Sequence, residues 1–176
     1  PQVSFVLMDQ HTGYVLGISG GRGKKTTNLS LNRATSSTRS PGSLFKVLAA
    51  FTPALDSCGN TLGTVYYDGP YSIGEKNFSN YWSRGYMGYS TIRQAIMYSM
   101  NIVTLKCMNE TVTPALAFEY LKKFGFTTLV ESYTNDSGKT YSDINPSLCL
   151  GGLTNGVTNL ETTAAYAAIA NGGVYN

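Results

Sequence analysis

The segment from Val3 to Ser19 has the pattern of a β-hairpin, and this start constrains the fold more than any other stretch. The runs "VSFVLMD" and "YVLGISG" are apolar and rich in β-formers, and the turn sequence "HTG" separates them. We therefore predict strands over residues 3–9 and 14–19. An antiparallel pair at the start excludes an all-helical fold.

The rest of the chain has mostly helical patterns. We predict helices over residues 43–51, 90–100, from 101 onward, 113–126 and 158–173. Residues 56–90 are rich in Gly, Tyr, Asn and Ser, which indicates a long loop with short strands. The predicted fold class is α+β, with an N-terminal hairpin of an antiparallel sheet joined to a mostly helical part.

Several helix boundaries have specific signals. Pro53 is predicted to end or kink the first helix. Ser90 is the predicted N-cap of the helix over residues 90–100. Thr158 followed by Glu161 matches a capping box at the start of the last helix.

Composition argues against several classes of function. The 13 Lys and Arg residues are spread along the chain at a net charge of +3, which gives little support for nucleic-acid binding. Cys58, Cys107 and Cys149 form no Cys-x-x-Cys pair, and a single histidine cannot complete a zinc site. We predict no metal and no cofactor. No apolar run approaches the roughly 18 residues of a membrane span.

The segment "SPGSLFKVLAA" contains the main catalytic candidates. Lys46 lies in the first turn of the predicted helix, where the helix dipole disfavours a cation. The i, i+3 spacing places it on the same face as Ser43. A serine nucleophile needs a base, and lysine serves only when burial, a neighbouring cation or the helix end lowers its pKa. We predict that Lys46 takes the proton of Ser43.

A second candidate pair, Ser99 and Asn101, follows the helix over residues 90–100. The hydroxyl can relay a proton and the amide can hold a peptide carbonyl, whereas the alternative is a helix C-cap. Ser-x-x-Lys also arises by chance. Its occurrence here is the chain's only one, and Pro-Gly directly precedes the serine.

The order of these motifs resembles the transpeptidase domain of class A, bifunctional penicillin-binding proteins, whose signature is Ser-x-x-Lys, Ser-x-Asn and Lys-Thr-Gly. The similar segments are "VLMDQHTGYVLGISGGR" (6–22), "NRATSSTRSPGSLFK" (32–46), "STIRQAIMYSMNIVTLK" (90–106) and "LCLGGLTNGVTNLETTAAYAAIANGGVY" (148–175). Because they extend over nearly the whole chain, residues 1–176 are expected to form part of such a domain, with a β-lactamase/transpeptidase-like fold.

The resemblance implies a mechanism. Ser43 attacks the penultimate carbonyl of a D-Ala-D-Ala stem peptide, D-Ala leaves, and an amine of a neighbouring stem peptide resolves the acyl-enzyme to cross-link peptidoglycan. In this scheme Lys46 is the base, Ser99 passes the proton to the leaving amine, and Asn101 holds the substrate amide. β-Lactams acylate the same serine.

The third motif of the family is absent from this sequence. Lys-Thr-Gly does not occur, and "ANGG" is followed by only three residues. We expect an incomplete fragment that is weakly active or inactive alone, with an exposed hairpin edge as a candidate for dimer formation. The resemblance also implies an upstream membrane anchor and glycosyltransferase domain, and a location at the extracellular face of the bacterial cell membrane.

Smaller departures from the family pattern, and two other functions, stay open. Ser40, Val47 and Asn159 stand where the family usually has Gln, Pro and Pro. The alternative functions are a hydrolase (D,D-carboxypeptidase or β-lactamase) and a non-catalytic β-lactam-binding sensor. Tyr81, Trp82 and Tyr86 are candidates for lining the cleft, or alternatively for anchoring the long loop.

Overall fold

The computed structural model describes residues 2–176 and has an α+β architecture, as the sequence predicts. Four antiparallel strand pairs, β1–β2, β3–β6, β4–β5 and β7–β8, surround a helical core. The strands are β1 (Phe5–Met8), β2 (Val15–Ser19), β3 (Val65–Asp68), β4 (Tyr71–Ile73), β5 (Lys76–Phe78), β6 (Gly88–Thr91), β7 (Tyr133–Thr134) and β8 (Thr140–Tyr141). The α-helices are α1 (Arg33–Ser36), α2 (Thr52–Asp56), α3 (Ile92–Met97), α4 (Asn101–Lys106), α5 (Pro114–Lys123) and α6 (Asn159–Ala170).

The N-terminal hairpin matches its prediction and packs against α6. Its strands are antiparallel, with Val6 opposite Ile18 and an irregularity in register after Leu7. Apolar side chains of both strands are exposed, among them Phe5 at 57% and Ile18 at 46%. No helix among residues 2–176 combines the length and apolar character that crossing a bilayer requires.

The first predicted helix is longer than expected and changes its winding. A 3-10 turn (Gly42–Leu44) leads into a π-helical segment (Lys46–Phe51), which continues directly into α2. Of the two alternatives predicted at Pro53, an end of the helix is wrong, since α2 runs on to Asp56, and what lies beside Pro53 is the change from π to α winding. Proline has no N–H to donate. It lies at the change from π to α winding, where the regular series of backbone hydrogen bonds is already interrupted, so the missing donor is tolerated there.

The π-helical segment lies at the centre of the hydrophobic core. Phe45 and residues 48–51 are fully buried. They pack against α4, α5 and the 3-10 segment Pro146–Leu150. Burying so many apolar side chains around one short segment holds its backbone in place.

Most other boundaries agree with the sequence, with one exception. The capping box at Thr158 is confirmed, because its Oγ1 accepts from Glu161 N at 3.2 Å and Glu161 Oε2 accepts from Thr158 N at 2.9 Å. The cap of α3 is Thr91, not Ser90: Thr91 and Gln94 form the box. The strand β6 includes Ser90, and its hydroxyl donates to Gly88 O instead.

The glycine-rich segment that follows the 3-10 segment Pro146–Leu150 packs against the residues that lead into the turn Gly42–Leu44. Ser40 Oγ donates to Gly151 O at 2.6 Å, and Arg39 and Val157 exchange two backbone hydrogen bonds of 2.9 Å. Gly151 has φ +77°, and a Cβ added there would lie 2.7 Å from Gly42 Cα. A side chain at position 151 would therefore displace the turn that contains Ser43.

A Gly151→Ala substitution is expected to lower the free energy of unfolding by about 2 kcal/mol or more, because it adds backbone overlap to the left-handed conformation. Gly138→Ala is the matched control, since Gly138 has φ +79° with nothing within 4 Å of an added Cβ. It should lose only about 1 kcal/mol, from the conformational term alone. Urea unfolding of both variants measures the difference, and equal losses would contradict close packing of Gly151 on Gly42.

Candidate active site

The structure brings Lys46 and Ser99 together from segments 53 residues apart. Lys46 is 3% exposed, and its Nζ donates to the Ser99 carbonyl oxygen at 2.6 Å and to Ser99 Oγ at 2.9 Å. The π-helical segment supplies the lysine, and the loop between α3 and α4 supplies the serine. The two Ser-containing motifs of the sequence therefore meet through the lysine of the first.

The Lys46 amine has a depressed pKa. Burial lowers the pKa of Lys46 to about 8, because the charged form loses its hydration. Burial is one of the three causes that the sequence left open. The nearby Cys149 thiol is itself buried, which raises its pKa to about 12, so it is neutral at physiological pH. An amine with this pKa is neutral in a useful fraction of molecules near neutrality.

Ser43 lies in the exposed 3-10 turn that precedes Lys46. Among residues 2–176, no side-chain hydrogen bond joins Ser43 to Lys46, whose Nζ is engaged by Ser99 instead. The turn is held from α6, because Tyr166 donates its hydroxyl proton to Leu44 O at 2.8 Å. The Ser43 hydroxyl is thus open to solvent at the mouth of the site, and its direct activation by Lys46 stays a prediction.

Ser99 has a strained backbone. Its φ is +49°, in the left-handed region that residues other than glycine rarely adopt. Its N–H donates to Ile96 O at 3.2 Å, so it also helps to end α3, as the helix-cap alternative expects. Strain of this kind is held by surrounding structure and concentrates at functional sites.

Asn101 is the first residue of α4 rather than a helix C-cap. Its Nδ2 donates to Ser79 O at 2.8 Å. Over the residues described, its Oδ1 accepts no hydrogen bond, so the amide oxygen is available to a ligand donor. The side chain is fixed by one end and open at the other.

Two buried polar residues beside Asn101 were not predicted from the sequence. Asn80 is 8% exposed and Asp68 is fully buried, and Asn80 Nδ2 donates to Asp68 Oδ1 at 2.8 Å. They lie in the segment predicted as a long loop, where Asn and Asp are typical of turns. No periodicity or spacing relates them to Asn101, so only the tertiary structure reveals the contact.

The loop between β5 and β6 borders the Ser99 segment. Tyr81 is 73% exposed, whereas Trp82 is partly buried against the core and donates its Nε1–H to Gly85 O at 2.7 Å. The Arg84 guanidinium lies 4.7 Å from the Trp82 ring centroid and 5.5 Å from that of Tyr98, which directly precedes Ser99. The anchoring alternative therefore holds for Trp82. A role of Tyr81 and Tyr86 in lining the cleft stays a prediction.

Comparison with known proteins gives a consistent result. The family model described as "Penicillin binding protein transpeptidase domain" matches residues 3–176. A curated relative, "Penicillin-binding protein 1A" of Clostridium botulinum, is 35% identical over 185 residues, which cover 99% of this chain and 21% of that protein. The chain thus spans about a fifth of the length of the curated relatives that it matches.

Solved structures agree on the fold. The crystal structure of penicillin-binding protein 1A from Haemophilus influenzae superposes with a TM-score of 0.77 at 27% identity, over 99% of this chain and 24% of that one. The PonA1 protein from Mycobacterium tuberculosis in complex with penicillin V gives a TM-score of 0.80 at 23% identity, over 99% of this chain and 45% of that one. At that identity the second match supports the fold alone.

Proposed function

This chain belongs to the penicillin-binding protein transpeptidase domain family, and we propose that residues 1–176 are the part of such a domain that carries the acylating serine of a D,D-transpeptidase. The substrate is the D-Ala-D-Ala end of a peptidoglycan stem peptide, and the product is a cross-link to the amine of a neighbouring stem peptide. β-Lactams acylate the same serine.

The contact between Lys46 and Ser99 carries this proposal. A buried amine with its pKa lowered to about 8, bound at 2.9 Å to a hydroxyl, supplies both a base and a proton relay. Among residues 2–176, Lys46 is the only buried lysine. A structural lysine would instead keep its charge at the surface.

The acylation step uses three side chains for bond making and proton transfer, and a fourth to hold the substrate. Ser43 Oγ attacks the carbonyl carbon, and its proton passes to the neutral Lys46 amine. As the bond to D-Ala breaks, the proton moves through Ser99 Oγ to the leaving amine. Asn101 Oδ1, which has no partner in the described part of the chain, accepts an N–H of the substrate peptide. No cofactor enters these steps.

Deacylation completes the cycle with an amine instead of water. The acceptor amine attacks the carbonyl carbon of the Ser43 ester, and the bond to the Ser43 oxygen breaks. The proton of the amine returns to that oxygen through the same base, and the cross-linked peptide is released from the enzyme. We further propose the setting that the resemblance implies: an anchored protein at the extracellular face of the bacterial membrane, acting on stem peptides. The proposal includes association of two copies through the exposed edge of the hairpin.

Incubation of the full-length protein containing this chain with a penicillin is expected to esterify Ser43 as the lactam C–N bond breaks. The tryptic peptide that includes Ser43 then carries one ring-opened penicilloyl group with the full mass of the penicillin. The acylation rate is expected to rise with pH and level off above a midpoint near 8, because deprotonation of Lys46 creates the base. Peptide mass spectrometry locates the adduct and stopped-flow fluorescence gives the pH profile. A rate that falls as pH rises through 8 would contradict a neutral Lys46.

The same experiment separates the other functions. Release of hydrolysed, ring-opened penicillin within seconds would indicate a hydrolase, and a long-lived adduct without any cross-linked product from lipid-linked substrate would indicate a sensor. Transpeptidation predicts a long-lived adduct together with cross-linked product.

A further inference from the structure

The helix α4 begins without a cap of its own. The first backbone N–H groups of a helix have no intrahelical acceptor and need one from elsewhere. The residue at the N-cap position is Met100, whose side chain makes no capping hydrogen bond. Asn80 supplies the missing acceptor from the loop after β5: its Oδ1 accepts from Asn101 N at 2.9 Å and from Ile102 N at 3.3 Å. The helix α4, which begins at the last residue of the second motif, is therefore capped by a side chain that is distant in sequence.

Asp68 determines which way the Asn80 amide faces. Asp68 Oδ1 accepts a hydrogen bond from Asn80 Nδ2 at 2.8 Å, so the NH₂ of the Asn80 amide faces Asp68. The opposite orientation would set two oxygens against each other in a buried site. The second carboxylate oxygen, Asp68 Oδ2, accepts from Met87 N at 2.7 Å. The amide oxygen of Asn80 is thereby left facing α4.

The same contact lies beside both residues of the second motif. The neighbouring carbonyl, Ser79 O, accepts from Asn101 Nδ2, so residues 79 and 80 hold both the backbone and the side chain of Asn101. Ser99 lies two residues before this anchor in a left-handed conformation, with φ +49°. A strained residue keeps its position only when the chain on either side is held. On one side of Ser99 that hold is the bond from Asn101 N to Asn80.

We propose that Asn80, oriented by Asp68, is a positioning residue for Ser99 and Asn101. It touches neither the substrate nor Lys46. It acts by fixing the start of α4, which sets Ser99 Oγ against Lys46 Nζ and directs the Asn101 amide oxygen toward the substrate. This inference rests on the proposed function, because it assigns a role in the acylation step.

A reciprocal exchange tests the pair. Asn80→Asp places two carboxylates in contact in a buried site and is expected to slow acylation by about 30-fold or more, since small misplacements of reacting groups have large kinetic effects. The double variant Asp68→Asn/Asn80→Asp exchanges the roles. The new amide at position 68 donates to the new carboxylate at position 80 and accepts from Met87 N, and that carboxylate still accepts from both N–H groups of α4. Acylation should return to within about threefold of the original.

The measurement separates positioning from stability. Penicillin acylation of the full-length protein is followed over a range of penicillin concentrations, which separates the limiting acylation rate constant from the binding constant, and thermal unfolding is recorded for each variant. Positioning predicts a lower limiting rate constant in folded Asn80→Asp, whereas a structural role alone predicts a lower Tm with an unchanged rate constant. Asn77→Asp, on exposed strand β5, is the control for the added charge and should acylate normally.

Each outcome decides a different claim. If the unsubstituted protein is acylated at Ser43 and folded Asn80→Asp is acylated equally fast, this inference is overturned and the proposed function stands. A double variant that does not fold also overturns it, as does a folded double variant that is acylated no faster than folded Asn80→Asp. If Asn80→Asp does not fold, a folded double variant that stays about 30-fold or more below the original rate overturns it. No labelling of Ser43 in the unsubstituted protein would overturn the proposed function and this inference with it.

Discussion

Replacement of Ser43 by alanine is expected to abolish covalent labelling by penicillin and to leave the fold intact. The hydroxyl is the only group lost, and without it no acyl-enzyme bond can form. Ser43 is exposed on its 3-10 turn. The free energy of unfolding should therefore change by no more than about 0.5 kcal/mol. Mass spectrometry of the full-length protein after incubation with penicillin measures the first effect, and urea unfolding measures the second.

The control for this substitution is Ser132→Ala, which removes another exposed hydroxyl. It should retain full labelling at Ser43. An adduct of unchanged yield on Ser43→Ala would place the nucleophile at another residue and would remove the basis of the proposed mechanism.

Replacement of Lys46 is expected to have the second largest effect. Lys46→Met should slow acylation by about 1,000-fold, because a general base contributes two to four powers of ten. The apolar replacement suits a side chain that is only 3% exposed. It loses the bond to Ser99 O but also removes a buried amine, so stability should stay within about 1 kcal/mol. Stopped-flow acylation and urea unfolding report the two quantities.

Lys46→Arg distinguishes a base from a positive charge. The guanidinium keeps its proton at all accessible pH values, so it cannot accept one from Ser43. We expect acylation as slow as in Lys46→Met and loss of the rise near pH 8. Lys139→Met, at an exposed lysine, is the control and should behave as the unsubstituted protein. Substantial activity in Lys46→Arg would show that the residue acts by its charge.

Secondary-structure features that depend on residues close together in the sequence were predictable from the sequence. The hairpin, α5, α6 and the Thr158–Glu161 box follow from alternation, helical periodicity and capping chemistry, all of which act over a few residues. The error at Ser90 has the same origin. Two hydroxyl residues adjoin, and only the pairing of β6 with β3 assigns Ser90 to the strand and leaves Thr91 as the cap.

The course of the helix through Pro53 was not predictable in the same way. Proline disfavours a helix interior on local grounds. The core packing of Phe45 and residues 48–51 favours continuation, and the change from π to α winding accommodates both. A local rule was outweighed here by burial, which depends on segments elsewhere in the chain.

By itself the sequence determined the α+β class, the family and the candidate catalytic residues, because residue type and short spacing identify a possible nucleophile, amine and amide directly. Only the tertiary structure decided how these candidates are arranged. It buried the Lys46 amine, seated it on Ser99 and capped α4 with Asn80 held by Asp68. Burial and contacts between distant segments arise when the whole chain packs, and no local pattern records them.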